Sequence, residues 1–111
     1  MDKTAVNLDK TVVCEIVKDM HKALEKHGIK DNQIALFGSF LSNNFHANSD
    51  IDMIIISNLF EGKNLFERID MTLKAEADLR SRYVVPMDIL LKTPKEYAYS
   101  KKAYFDSEII V

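Results

Sequence analysis

Leu36-Phe37-Gly38-Ser39-Phe40 is followed, ten residues after Ser39, by Asp50-Ile51-Asp52-Met53-Ile54-Ile55-Ile56. The first segment closes an apolar run, Ile34-Ala35-Leu36-Phe37, that stops abruptly at Gly38-Ser39. The second alternates, with Asp50 and Asp52 against Ile51 and Met53, and then becomes wholly apolar. Both read as strands. Two carboxylates two residues apart on a strand project from one face, their Cα atoms about 7 Å apart. Placing them at the mouth of an apolar strand costs desolvation and mutual repulsion unless a cation neutralises them. Hard oxygen donors of this kind suit Mg²⁺ or Mn²⁺. A third carboxylate, Asp88, opens another apolar run, Ile89-Leu90-Leu91, on what is expected to be a neighbouring strand. Aspartates at corresponding ends of adjacent strands can hold two ions about 4 Å apart, an arrangement that activates an attacking oxygen and steadies a leaving phosphate. Gly38-Ser39 supplies the complementary half. A strand ending in Gly-Ser and entering a helical turn offers backbone N–H groups and a hydroxyl to an anion, and glycine lets the ligand approach closely. An anion cradle beside a divalent-ion site accommodates a nucleoside triphosphate.

Outward from this stretch, residues 9–26 predict an amphipathic helix with Val12, Val13, Ile16, Val17, Met20 and Leu24 at three- and four-residue spacings. Asn7 or Asp9 is the expected cap and Gly28 the stop. Residues 64–81 predict a second helix, capped by Asn64, with Leu65, Phe66, Ile69, Leu73 and Ala77 on one face. Tyr83 to Leu91 reads as a third strand in which Pro86 marks an edge or a bulge. Thr93-Pro94-Lys95-Glu96 opens a last helix, with Thr93 as cap and Glu96 three residues on. Ile109-Ile110-Val111 ends the chain as an apolar tail that needs burial, a partner protein being one candidate for covering it. The order predicts a mixed α/β, α+β architecture: a small β-sheet with helices packed on it, in one domain over residues 1–111.

The 111 residues are 47% hydrophobic and 29% charged, the balance of an ordinary globular chain. Fifteen Lys and Arg against 17 Asp and Glu give a net charge of −2, which speaks against a nucleic-acid binder. Cys14 is the single cysteine and cannot form an internal disulfide. No run approaches the roughly 18 apolar residues of a membrane span, and no secretion signal is visible, so a cytoplasmic location is expected.

Gly38-Ser39, ten residues, and Asp50-Ile51-Asp52 together resemble the nucleotidyltransferase (DNA polymerase beta-like) superfamily, above all its minimal, antitoxin-like nucleotidyltransferases. The resemblance extends to Pro86-Met87-Asp88-Ile89-Leu90 and to Lys92-Thr93-Pro94-Lys95-Glu96-Tyr97, and so covers most of residues 33–97. It implies a nucleotidyltransferase-type sheet and a Mg²⁺-dependent transfer of a nucleoside monophosphate, AMP being expected, from an NTP such as ATP to an acceptor hydroxyl. Two ions are implied, with Mn²⁺ as the alternative metal. Gly38 and Ser39 would bind the nucleotide; Asp50, Asp52 and Asp88 would be the catalytic residues and metal ligands. Some minimal members are antitoxins that attach AMP to a tyrosine of a helical HEPN toxin, so a separate protein partner of that type is implied, with a homodimer as a further option. One departure stands out. Many members carry Arg-Gly at the fourth and fifth positions after the glycine, where this chain has Ser42-Asn43. Lys63, Arg80, Arg82 and Lys92 are the cations that could substitute.

That departure motivates a second reading, a catalytically degenerate module that neutralises a partner by occluding it. A small-molecule (antibiotic) nucleotidyltransferase ranks third. Other residues read more plainly: His46 as a solvated loop histidine, Cys14 and His21 as flanks of the first helix, Lys101-Lys102 as a solvated face, and Tyr97, Tyr99, Tyr104 and Phe105 as packing aromatics.

Overall fold

A computed structural model describes residues 4–5, 9–41, 50–103 and 106–111. Ser42, Asn43, His46, Tyr104, Phe105 and Asn7 lie outside the described residues.

Strand β1 (Thr4–Ala5) precedes helix α1 (Lys10–Lys26). Asp9 caps α1 by accepting the Val12 N–H at 2.8 Å, and the helix ends at His27 before Gly28 turns the chain with φ +94°. The predicted stripe is the buried one: Val13, Ile16, Val17, Met20 and Leu24 are all fully inaccessible. Strand β2 (Gln33–Phe37) then runs into a 3₁₀ turn over Gly38–Leu41, and β3 (Ile51–Ile56) follows. After a second 3₁₀ turn at Asn58–Phe60, helix α2 (Leu65–Arg82) starts at a reciprocal capping box between Asn64 and Glu67. The predicted third strand divides at Val85-Pro86 into β4 (Tyr83–Val84) and β5 (Met87–Lys92). Helix α3 (Pro94–Ala103) opens with the expected Thr93–Glu96 exchange, and β6 (Ser107–Ile109) completes the order.

The main sheet has the order β5-β3-β2-β6, parallel between β3 and β5 and antiparallel elsewhere; β1 and β4 form a separate parallel pair. This is the mixed α+β architecture expected. Pro86 stands just before β5, an edge strand, and its carbonyl accepts the Ile51 N–H at 2.9 Å. The strand period of two sorts side chains between the faces. Ile34, Leu36, Ile51, Met53, Ile55, Ile89 and Leu91 pack with α1 and α2 into the main core. Ala35, Phe37, Ile54, Ile56 and Leu90 turn the other way, where Tyr97 of α3 covers them and bonds the Ser107 hydroxyl at 2.6 Å.

The apolar tail is partly covered by the chain itself: Ile110 donates to Ile34 O at 2.8 Å, Ile34 donates to Val111 O at 3.0 Å, and both side chains pack half-buried on the main core, while Ile109 stays 43% exposed. Leu65, Phe66, Ile69, Leu73 and Ala77 share one face of α2 as expected, and that face turns to solvent, with Leu65 60%, Phe66 80%, Ile69 41% and Leu73 55% exposed and Ala77 exposed beside them. The buried side is instead Thr72, Ala75 and Leu79. Small Thr72 and Ala75 let α2 lie close to its neighbours, and Arg68 holds the rotation. Its guanidinium donates to Lys63 O at 2.9 Å, to Leu91 O at 3.2 Å and to Glu96 at 2.6 Å. Among the described residues no helix is long and apolar enough to cross a membrane.

Candidate functional site

The strand register sets the geometry. Asp52 on β3 lies directly across from Phe37 on β2 and from Asp88 on β5. Partners in register sit about 4.8 Å apart and point to the same face, so the two carboxylates are neighbours. Both face away from α1 and α2, on the side that α3 covers only farther along the strands. Asp50, exposed, stands immediately before β3, two residues ahead of Asp52. Phe37 was not singled out from the sequence as part of this site; its apolar ring position beside Asp52 becomes evident only from the strand pairing.

Gly38 ends β2 at the same edge of the sheet. Its φ of +68° is a left-handed conformation that favours glycine. A side chain there would also collide: a Cβ would lie 3.1 Å from Asp52 Cγ and closer still to Oδ2. The neighbouring Ser39 backbone N–H donates to the Asp52 carboxylate. Asp52 is therefore clamped between the Gly38-Ser39 bend and Asp88.

The electrostatics of that clamp are unfavourable to charge. Burial raises the Asp52 pKa above its usual 3.8, and the carboxylates of Asp88 and then Asp50 raise it further; only the Ser39 N–H opposes them. Among the described residues no cation contributes. Of the four cations considered as substitutes for the missing arginine, Arg82 lies 3.6 Å from Asp19 and 3.7 Å from Asp78. Lys92 is four residues beyond Asp88 on the same strand, about 13 Å away. Arg80 reaches the Met87 carbonyl at 3.4 Å, one residue from Asp88, yet does not offset the Asp52 shift. Lys63 gives its carbonyl to Arg68 in the loop before α2.

The donor set suits a hard divalent cation: oxygen ligands only, with one carboxylate disfavoured by two others. Among the described residues, however, no three His, Cys, Asp or Glu side chains converge closely enough to hold an ion alone. That is compatible with Mg²⁺, which usually takes one or two carboxylates and completes its octahedron with water and substrate phosphates. The aspartates thus fit a cation that arrives with its substrate better than a permanent all-protein cage.

Comparison with known proteins adds the lineage. A protein from Sulfolobus solfataricus, provisionally assigned as a nucleotidyltransferase, shares the fold with a TM-score of 0.69 over 90% of this chain and 80% of its own, at 16% identity. A second provisionally assigned nucleotidyltransferase aligns with a TM-score of 0.58 over 83% of this chain and 94% of its own, at 22% identity. The toxin–antitoxin pair MntA–HpeT, in a mutant form, aligns at 0.49 and 17% identity over 94% of this chain and 73% of that one. No curated protein matches the chain. The family model described as "Nucleotidyltransferase domain" matches residues 13–111, taking in the glycine bend and all three aspartates. By that match over nearly its whole length, the chain belongs to the nucleotidyltransferase domain family.

Proposed function

We propose that this chain is a metal-dependent nucleotidyltransferase that moves a nucleoside monophosphate, AMP in the first instance, from an NTP to an acceptor hydroxyl. The observation that carries the reading is the charge state around Asp52. Asp52 and Asp88 stand in register at one sheet edge beside a glycine bend, with Asp50 two residues from Asp52, and among the described residues no cation offsets the raised pKa of Asp52.

In this reading Asp50 and Asp52 hold Mg²⁺, or Mn²⁺, and Asp88 completes the set. A cation held there would supply charge neutralisation for the triphosphate and Lewis-acid activation of the acceptor oxygen. Gly38 and Ser39 position the phosphates: the bend brings backbone close to the anion, and the Ser39 hydroxyl adds a donor. Asp88, exposed and in register with Asp52, would take the proton of the acceptor hydroxyl as its oxygen attacks the α-phosphorus. The P–O bond to the β-phosphate breaks and pyrophosphate leaves. Phe37 walls the other side of Asp52.

The acceptor is a protein side chain in this reading. Asp50 and Asp88 are both exposed, which suits a large acceptor presenting its own hydroxyl. A toxin of the HEPN type is the partner class that the sequence resemblance points to.

The test is transfer of label from α-labelled ATP, with Mg²⁺, to a co-purified partner protein. Label that appears with the unmodified chain and vanishes with Asp50→Ala/Asp52→Ala supports the assignment. Undiminished transfer by that double variant overturns it.

A further inference from the structure

The outward stripe of α2 gathers four of the exposed large apolar side chains among the described residues. Leu65, Phe66, Ile69 and Leu73 lie on consecutive turns of one helix, and each is between 41% and 80% exposed. Single exposed apolar residues are commonplace, but a contiguous row of large ones marks a contact surface. From this face we infer that the chain forms a symmetric dimer, with α2 packing antiparallel against α2 of a second copy.

Three features of the helix select a second copy as the occupant. First, the row is uneven in size. Leu65, Ile69 and Leu73, equal in bulk and with Phe66 beside the first, follow one another at i, i+4 spacing and end on the small Ala77 at the C-terminal side. Antiparallel pairing sets the large end of one helix on the small end of the other. With the two-fold axis near Thr72, Ile69 of one copy seats between Leu73 and Ala77 of the other, and Phe66 lies over Ala77. Parallel pairing would stack Phe66 on Phe66 and leave a gap at the alanines.

Second, the charges bordering the row are polarised the same way. Among exposed side chains of the helix, Glu67 and Asp70 occupy the first half, and Lys74 and Arg80 the second. Phe66, Asp70 and Lys74 form the next i, i+4 row, so Asp70 and Lys74 flank the apolar stripe on one side. The same two-fold sets Asp70 of each copy opposite Lys74 of the other. The remaining acids of the C-terminal half are engaged within the protomer: Glu76 accepts from Thr72 at 2.7 Å, and Asp78 lies 3.7 Å from Arg82.

Third, the face is rigidly presented. The capping box fixes the start of α2, and the Arg68 bonds to Leu91 and Glu96 fix its rotation against the sheet. The surface is therefore pre-organised and pays little ordering entropy on association. One helix face falls short of the roughly 800 Å² per partner of a standard stable interface, so the dimer is expected to be in concentration-dependent exchange with its monomer.

Analytical ultracentrifugation of the full chain across a concentration series tests this. The mass is expected to rise from 12.7 kDa toward twice that value with concentration. Ile69→Lys and Leu73→Lys, each at an exposed position, are expected to hold the monomer mass throughout while melting like the unmodified chain. Asp70→Lys is expected to weaken association at least tenfold, and Asp70→Lys/Lys74→Asp in one chain to restore it. A monomer at every concentration overturns the proposal, as would occupation of the stripe only by a different protein. A dimer indifferent to the lysine substitutions overturns it too, and a charge reversal that fails to restore association overturns the antiparallel pairing.

Discussion

The two faces of the main sheet have opposite relations to stability. On the face packed by α1 and α2, Ile34, Leu36, Met53 and Ile55 are fully buried among apolar neighbours, and each contributes about 1.5–3 kcal/mol by leaving water. On the other face the same strand carries Asp52, held in a position where burial and two neighbouring carboxylates disfavour its charge. Met53 directly follows Asp52 in the chain. The difference teaches that the first face holds the protein together while the second stores unfavourable electrostatics that a bound cation would relieve.

The most decisive way to sharpen that contrast is Asp52→Asn, which should change activity and stability in opposite directions. Nucleotidyl transfer is expected to fall by about 10²–10³-fold, the usual consequence of removing one preorganised electrostatic group. The metal-free protein should melt at a higher temperature at neutral pH. The sign follows from the raised pKa: the folded state binds the Asp52 proton more tightly than the unfolded chain. The native state therefore loses stability as pH rises through the folded pKa, and below the usual 3.8 the two proteins should converge. Thermal melts at pH 7 and pH 3 read this directly; a lower melting temperature for the variant at pH 7 would count against the account.

Met53→Ala probes the opposite face. It removes a fully buried side chain and is expected to destabilise by about 2–5 kcal/mol in denaturant titration. Gly38→Ala should cost less, about 1–2 kcal/mol for the left-handed backbone. Its Cβ also displaces the Asp52 carboxylate, so its loss of Mg²⁺-dependent nucleotide binding by calorimetry should exceed what the stability change accounts for. An intact titration would break the link between the bend and the aspartates.

The smallest effect lies at the junction of the two faces. The Arg68 guanidinium holds Glu96 at a pKa of about 2, down from 4.5. Stability from that pair is present above about 4.5 and is lost as pH falls toward 2. With Glu96 46% exposed, solvent screening limits it to about 1 kcal/mol. Glu96→Gln should erase that acid-side increment in urea titrations from pH 5 to pH 2.5.

Much of this was legible without coordinates because the signals are local. Asp9, Asn64 and Thr93 cap helices through bonds to residues three positions ahead, so nearest neighbours suffice to read them. The α1 stripe is equally plain, since its apolar residues share one side. The Gly38-Ser39 bend and the aspartates were visible as residues. Phe37 as the wall beside Asp52 was not, because it depends on which strand pairs with which and at what offset.

Helix α2 shows where such reading ends. The chain alone predicted a helix over residues 64–81 capped by Asn64, with Leu65, Phe66, Ile69, Leu73 and Ala77 on one side, because a 3.6-residue repeat and a cap are properties of the segment itself. It could not determine which way that side turns. Arg68 reaching Leu91 and Glu96, with Thr72, Ala75 and Leu79 fitting against the rest of the fold, decided the rotation, and those partners lie 23 and 28 residues away. Periodicity specifies which residues lie together on a helix; only long-range contacts choose which of its sides is buried.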